Sequence, residues 1–289
     1  MSFWKGKKVA VSGAYGFLGP YLCDALRTAG ADLPERHGDH DFYGGTEVLF
    51  NLAAHTNGIG SQNHLDAFSR NVEISTKILS RAADLRTPTV VIVSSACIYP
   101  ESNVPLREGL KGDPVADSRG YAQAKLVSEM HGKFLHEAGH RVLIARGFNA
   151  YGPGDRSSHV IPDLLRKVIG GKGRSAPDGP VQIWGGNQIR SFTYATDWVD
   201  ALMFLAEHGP SGQPVNLAGD EVGVRIDFLA EKLIKLMNSD SKIEYAQGPI
   251  GHSMRIPDLT WLNSHGWKPK ISLDEGLKRT VEWYENVRS

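Results

Sequence analysis

Apolar residues recur along the first half of the chain in two alternating patterns. Short runs that are continuously apolar are typical of strands buried on both faces, and longer stretches with apolar residues every three or four positions are typical of amphipathic helices. Strand-like and helix-like segments alternate at residues 7–12, 18–29, 48–52, 65–83, 89–94, 121–138 and 141–146. Because strands that alternate with helices build parallel sheets, the pattern predicts a doubly wound α/β domain of the Rossmann type over residues 1–150.

Beyond residue 150 the strict alternation is lost. Strand-like pieces at 181–184 and 214–217 mix with helix-like pieces at 226–237 and 273–286. We therefore expect residues 151–289 to form mainly a smaller, irregular α/β lobe, with some later segments returning to the first domain.

Composition limits the classes of function. Lys+Arg and Asp+Glu number 32 each, so no bulk charge attracts nucleic acid or an anionic membrane, and an anionic ligand must be held by a few placed groups. The two cysteines, Cys23 and Cys97, are too few for a disulfide framework or a four-ligand zinc site, which favours a cytoplasmic protein without a metal. The chain also lacks a run of roughly 20 apolar residues, so we expect neither an anchor nor a signal peptide.

A glycine-rich turn lies between the first predicted strand and the first predicted helix. The turn reads Gly13-Ala14-Tyr15-Gly16-Phe17-Leu18-Gly19. Glycines at this spacing permit a tight turn, a close approach of backbone to a pyrophosphate, and packing of the helix on the strand. Its place between a strand and a helix favours a dinucleotide-binding loop over an ordinary surface loop.

The region that would bind the adenosine end of a dinucleotide is short. It has room for one strand at 31–33 and a loop, but not for the usual second helix and third strand. Arg36 and His37 could meet the 2′-phosphate of NADP, whereas an acidic residue there would favour NAD; a solvated charged loop is an equal alternative, so the choice between the two cofactors stays open. Asp41 and Phe42 are candidates for the adenine contact.

Three residues are candidates for hydride chemistry. Tyr121 and Lys125 stand four apart on a predicted helix, so they share one face, where the ammonium can lower the pKa of the phenol and hold a ribose. Ser95 follows a predicted parallel strand and can hydrogen-bond the same substrate oxygen. Each feature alone is common, but their joint order after a glycine loop is typical of a dinucleotide enzyme.

These motifs together resemble the NAD-dependent epimerase/dehydratase family, the extended short-chain dehydrogenases, over essentially the whole chain. The supporting residues are Gly13–Gly19, Asn51–Ala54, Asn71 with Thr76, Ser95, Tyr121 with Lys125, Phe148–Pro153, Arg190–Phe192 and Asp197. Within that family, the sequence of residues 95–100 is most similar to that of the GDP-fucose synthases and the GDP-mannose 3,5-epimerases. The cofactor-binding residues expected from the residues and the resemblance are Gly13, Tyr15, Gly16, Phe17, Leu18, Gly19, Arg36, Asp41, Phe42, Ala53, Ala54, Asn71, Ser94, Tyr121, Lys125 and Phe148.

The same resemblance implies an acid/base pair for proton exchange. Cys97 lies two residues beyond Ser95, where a thiolate could take a proton from a carbon next to a keto group. The segment 158–162 matches the run that carries the partner histidine in the GDP-fucose synthases, so His159 is the implied partner. The alternative is that neither residue is catalytic: Cys97 would be a buried core residue and His159 a surface residue.

The smaller lobe is implied to hold the nucleotide diphosphate of a sugar substrate, with a GDP-sugar favoured by resemblance. Asn149 would contact phosphate or sugar, Trp184 would line the base pocket, and Arg190 with Arg255 would neutralise the diphosphate through planar guanidinium forks. Trp184 could equally be core and Arg255 a surface ion pair. The segment from Trp184 to Arg190 is one residue shorter than in the similar proteins, which leaves the base open.

The sequence therefore favours an NAD(P)-dependent nucleotide-sugar epimerase, possibly a 3,5-epimerase that also reduces at C4. A nucleotide-sugar 4,6-dehydratase or 4-epimerase is the rival within the enzymes, and a dinucleotide-sensing regulator without turnover is the rival outside them. The resemblance also implies a homodimer that packs residues 65–83 and 121–138 of two subunits into a four-helix bundle.

Overall fold

The computed structural model describes residues 2–34, 44–56, 64–110, 119–171, 179–219, 222–248 and 252–287. The strands are β1 (Val9–Ser12), β2 (Val48–Asn51), β3 (Thr89–Ser95), β4 (Arg141–Gly147), β5 (Asn149–Tyr151), β6 (Val181–Trp184), β7 (Ile189–Arg190), β8 (Phe192–Tyr194), β9 (Pro214–Leu217), β10 (Val224–Arg225), β11 (Ile243–Ala246) and β12 (Met254–Arg255). The helices are α1 (Leu18–Thr28), α2 (His64–Asp84), α3 (Gly120–Glu137), α4 (Val160–Gly171), α5 (Ala195–His208), α6 (Ile226–Leu236), α7 (Thr260–Ser264) and α8 (Leu273–Asn286), and a 3-10 turn spans Ala96–Ile98.

The central sheet confirms the predicted fold class. Strands β1, β2, β3, β4 and β9 lie side by side in that order, and every neighbouring pair is parallel. Their carboxyl ends therefore meet at one edge, where ligands bind in open α/β sheets. The fifth strand, β9, comes from the second half of the chain.

The strand predicted at 31–33 is reduced to a single parallel bridge between Lys8 and Asp32. The amide of Asp32 donates to Lys7 and the amide of Val9 donates to Asp32, but the pairing goes no further. Pro34 follows two residues later, and a proline has no N–H to donate to a ladder.

Two apolar clusters cover the two faces of this sheet. One packs α1, α5 and α7 against one face through residues such as Leu22, Leu26 and Trp198. The other packs α2 and α3 against the opposite face, where Ile78 and Val142 are fully buried. Successive strand residues alternate between the clusters, as the period of two along a strand requires.

A third apolar cluster joins the elements of the second half of the chain. It contains α4, β6, β8, α6 and α8, with the buried residues Leu165, Ile183, Leu229 and Leu277 among its members. Small two- and three-stranded sheets surround it: β5 pairs with β8, β6 with β11, and β7 lies between β10 and β12. Within the described ranges, no helix has the length and apolar character needed to cross a membrane.

Candidate active site

The glycine loop has the geometry that its spacing predicts. Gly13 has a φ of +75°, and the amide of Gly16 donates to the carbonyl of Gly13 over 3.0 Å, which closes the turn. A Cβ at Gly19 would lie 2.2 Å from the oxygen of Gly13, so only glycine lets α1 start this close to the loop. No side chain caps the first turn of α1 at Phe17, so side chains leave its first amides uncapped.

The end of β2 forms the next wall of this loop. The amide of Ala53 donates to Ser12 Oγ over 3.3 Å, and a Cβ at Gly13 would meet Ala53 at 2.8 Å. Asn71 of α2 is buried and fixes the segment that contains Ala54, because its side chain accepts from the amide of His55 and donates to the carbonyl of His55. Asn71 therefore holds the backbone of the segment that follows β2. Tyr15 projects outward and is 77% exposed.

The structure does not test the four residues predicted for the adenosine region. Arg36, His37, Asp41 and Phe42 lie outside the described residues.

The candidate hydride residues meet at the carboxyl end of β3. Tyr121 and Lys125 lie in the first turns of α3, with Lys125 Nζ 5.6 Å from the centre of the Tyr121 ring. A hydrogen bond joins the Tyr121 phenol and Ser95. Lys125 Nζ donates to the carbonyl of Val93 over 2.8 Å, and the amide of Cys97 donates to Ser95 Oγ over 3.1 Å. The structure thus gathers Ser95, Cys97, Tyr121 and Lys125 into one cluster.

Burial sets the charges of this group. Desolvation raises the pKa of Tyr121 well above its usual range, and the nearby Cys97 raises it further, against the lowering effect of the hydrogen bond with Ser95. Desolvation lowers the pKa of Lys125 to about 8, and Cys97 and Glu129 limit the fall. In this structure the phenol therefore holds its proton at neutral pH while the ammonium is still mostly charged.

A cluster of guanidinium groups lies beside Cys97. Arg255 Nη1 donates to Cys97 Sγ over 3.6 Å, and Arg255 pairs with Arg190 across β12 and β7. Burial, then the proximity of Arg255, lowers the pKa of Arg190 to about 10. Arg190 is held in place because its Nη2 donates to the carbonyl of His252 over 2.6 Å.

Two members of this cluster were missed by sequence reasoning. Arg119 Nη1 lies 2.8 Å from His252 Nε2, just before the helix that carries Tyr121. Burial, then Arg255 and Arg119, lowers the pKa of His252 to about 4, so its ring is neutral at pH 7. Neither residue belongs to a spaced motif; the only signal for Arg119 is that it lies two residues before Tyr121.

Three further candidates are Trp184 and Asn149, predicted on the substrate side, and Phe148, predicted on the cofactor side. Trp184 is 51% exposed at the end of β6, with Lys167 Nζ 6.0 Å from its ring centre and Gly248 packed against the ring. Asn149 Nδ2 donates to the carbonyl of Ser191 over 2.9 Å. Phe148 is buried and its amide donates to Leu217 of β9.

His159 is exposed, and the structure does not bring its ring into hydrogen-bonding contact with Cys97. The loop that carries it is nevertheless anchored. Tyr21 of α1 donates to the carbonyl of Pro153 over 2.7 Å, and Tyr284 of α8 donates to the carbonyl of Asp155.

The described ranges hold no group of three or more His, Cys, Asp and Glu side chains arranged to bind a metal ion.

The chain is similar to known proteins over most of its length. Residues 40–218 match the pattern of the NAD dependent epimerase/dehydratase family. A probable GDP-L-fucose synthase 1 of Oryza sativa subsp. japonica is 29% identical, with the match covering 99% of this chain and 94% of that protein. A GDP-mannose 3,5-epimerase 1 of the same plant is 28% identical over 97% of this chain and 83% of that protein.

Among solved structures, MoeE5 in complex with UDP-glucose and NAD has a TM-score of 0.83 and 25% sequence identity. The superposition covers 98% of this chain and all of that one.

Proposed function

Since the chain belongs to the NAD dependent epimerase/dehydratase family, a family of nucleotide-sugar epimerases and reductases, we propose that it is a GDP-sugar epimerase that also reduces the sugar at C4. The observation that supports this most is the meeting of Cys97 with Ser95, Tyr121 and Lys125 in one cluster. A hydride site alone would suit any member of the family. A thiol beside it adds a group that can exchange protons at carbon.

The glycine loop and α1 fit a nicotinamide dinucleotide, because the glycines let the loop pack tightly: a side chain at Gly13 would clash with the backbone of Ala53, and one at Gly19 with the backbone of Gly13 and Ala14. Ala53 and Asn71 would shape the adjoining wall, and Lys125 would reach the ribose. A bound nicotinamide supplies or accepts a hydride at the sugar carbon. We leave the cofactor as NAD or NADP, because the residues that would choose between them lie outside the described ranges.

For reduction, Tyr121 would donate its phenolic proton to the C4 carbonyl oxygen as that carbon is reduced. Its raised pKa suits this direction, since the phenol arrives with the proton it must give. Ser95 would hydrogen-bond the same oxygen, and the charge of Lys125 would stabilise the phenolate that is left.

For epimerisation, the Cys97 thiolate would take a proton from a carbon next to the C4 carbonyl. The guanidinium of Arg255 lies 3.6 Å from the sulfur and donates to it. His159 would return a proton to the opposite face of the sugar, which requires its exposed ring to turn toward the pocket when substrate binds.

The guanidinium cluster matches the charge of a nucleotide diphosphate. Arg119, Arg190 and Arg255 lie together, and the carboxylate of Glu101 beside them accepts from Ser253. His252 adds no charge, because its ring is neutral. The negative charge of a diphosphate would complement these guanidinium groups, and Trp184 would stack on the base.

We also propose a cytoplasmic homodimer that uses residues 1–150 mainly for the cofactor and residues 151–289 mainly for the sugar. The exposed apolar side chains Leu65 of α2, and Met130 and Phe134 of α3, would lie in its four-helix interface. Sedimentation at increasing concentration tests this.

The first experiment is native mass spectrometry with NAD, NADP and their reduced forms. The protein is then incubated with a GDP-4-keto sugar in D2O, with and without NADPH or NADH. The mass of the sugar product is measured by mass spectrometry. We expect deuterium to enter at the carbons flanking the carbonyl, and a further gain of two hydrogens when the reduced cofactor is present. Loss of water from a GDP-hexose would favour a 4,6-dehydratase instead. Dinucleotide binding with neither exchange nor reduction would favour a regulator and contradict the proposal.

A further inference from the structure

Glu129 is a nearly buried carboxylate that the proposed reaction does not use. It lies one helical turn beyond Lys125 in α3, and its side chain is 11% exposed. Arg146 of β4 donates to it through two nitrogens, Nε over 3.0 Å and Nη2 over 2.8 Å. Ser94 Oγ donates to the same carboxylate over 2.5 Å.

Further hydrogen bonds of Arg146 fix the orientation of the Glu129 carboxylate. Arg146 Nη1 also donates to Tyr99 Oη over 3.1 Å and to the carbonyl of Glu108 over 2.7 Å. Tyr99 in turn donates to Asn216 of β9 over 2.6 Å. A bidentate guanidinium whose remaining nitrogen is also bonded cannot turn without breaking several buried hydrogen bonds, so Glu129 stays where it is.

Ser94 and Lys125 connect Glu129 to the hydride site. Ser94 directly precedes Ser95, so its bond to Glu129 ties the end of β3 to α3. Lys125 is four residues before Glu129, so the two side chains share one helix face. The titratable groups facing Lys125 are Tyr121 and Glu129 from its own helix and Cys97 from the 3-10 turn.

We propose that Glu129 is a positioning residue of the hydride site: it fastens the strand end that carries Ser95 to α3 and supplies the negative charge that keeps Lys125 an ammonium. This rests on the proposed hydride role of Tyr121 and Lys125. Burial works against the ammonium, whereas Cys97 and then Glu129 work for it, which agrees with the direction in which each moves the pKa of Lys125. Removing the charge of Glu129 should leave Lys125 neutral under conditions where it is now charged.

The test reads Lys125 directly, without cofactor or substrate. Protein with 13Cε-labelled lysine is titrated by NMR, and the Lys125 signal is assigned by its loss in Lys125→Met. In Glu129→Gln we expect the midpoint of the Lys125 titration to fall by about one pH unit, a tenfold weaker proton binding. Glu137→Gln, an exposed acid on the same helix that pairs with Lys133, is the matched control and should leave the midpoint unchanged.

A folded Glu129→Gln protein with an unchanged Lys125 midpoint overturns the proposal. If that variant does not fold because Arg146 is left as an uncompensated buried charge, the double variant Glu129→Gln with Arg146→Met removes both charges and is titrated in its place. Ser94→Ala separates the two roles: it keeps the charge of Glu129, so the Lys125 midpoint should hold.

The same variants distinguish this inference from the proposed function. If the wild-type protein turns over no nucleotide sugar, the proposed function fails while the lysine titration can still succeed. If turnover is observed, Glu129→Gln should lose activity at a lower pH on the alkaline side than the wild type, and Glu137→Gln should not.

Discussion

The two ends of the candidate pocket are built in different ways. The hydride end, with Tyr121 and Lys125, stands on the long helix α3 and the seven-residue strand β3. The substrate end, with Arg190 and Arg255, stands on two-residue strands joined by loops. Regular elements packed on the main sheet can hold atoms at fixed positions for bond making, whereas short strands and long side chains can adjust to a ligand. Changes at the first end should therefore affect kcat, and changes at the second should affect KM.

The largest effect is expected from Tyr121→Phe. Loss of the phenolic proton donor should lower kcat for reduction by about a thousandfold, within the range for general acid/base groups, while dinucleotide binding stays unchanged. Stopped-flow absorbance of the reduced cofactor measures the step. Tyr245→Phe, which alters a phenol on an exposed side chain of β11, is the control. A fully active Tyr121→Phe protein would remove Tyr121 from the chemistry.

Cys97→Ser should separate the two chemistries at the hydride end. We expect deuterium entry into the sugar to fall about a hundredfold, because serine does not ionise in this range, while reduction of a keto sugar continues. The other free cysteine, Cys23, is buried in α1, and Cys23→Ala should exchange normally. Unchanged exchange in Cys97→Ser would show that another group moves the proton.

The substrate end can be divided by comparing Arg190→Met with Arg255→Met. Each should raise KM for the nucleotide sugar about tenfold to a hundredfold, the value of a lost hydrogen bond to a charged group. Only Arg255 touches Cys97, so Arg255→Met should also lower the exchange rate. Equal effects of the two variants on exchange would contradict the division of roles.

The smallest effect is expected in stability. The pKa of Lys125 is about 8 in the folded protein, against 10.5 for a lysine that is not buried, so below pH 8 the fold bears the full cost of a buried ammonium. Between pH 8 and 10.5 the unfolded chain binds the proton more strongly, and the contribution of this group to stability rises with pH. Lys125→Met should therefore raise the free energy of unfolding at pH 7 by about 1–3 kcal/mol and abolish activity, with little gain near pH 10.5.

Urea unfolding at the two pH values measures this, with exposed Lys133→Met on the same helix as the control. An equal gain at both pH values would mean that the gain comes from packing rather than from charge.

The sequence predicted the regular half of the molecule well, because period and local spacing carry that information. The GxxGxxG turn, β3 and α3 could be located from residues close together in the chain. Strands β5, β7, β8, β10 and β12 span only two or three residues, which is too few to show a period.

The same limit explains why part of the site was missed. Arg119 and His252 are 133 positions apart and meet only through the fold. Glu129 lies four residues after Lys125, the second residue of the Tyr-Lys motif. Its hydrogen bond with Arg146 depends on how α3 packs on β4, which no local sequence pattern shows.

The position of β9 bears on how this chain could be divided. The main sheet takes its last strand from residues 214–217, after the chain has already passed through α4 and the small sheets. A fragment that ended at residue 150 would leave β4 as an unpaired edge strand. It would also expose the apolar face of the sheet that α5 covers through Trp198. The segment between β4 and β9 is thus an excursion from a single framework, so we expect that the chain cannot be cut there into two parts that fold independently.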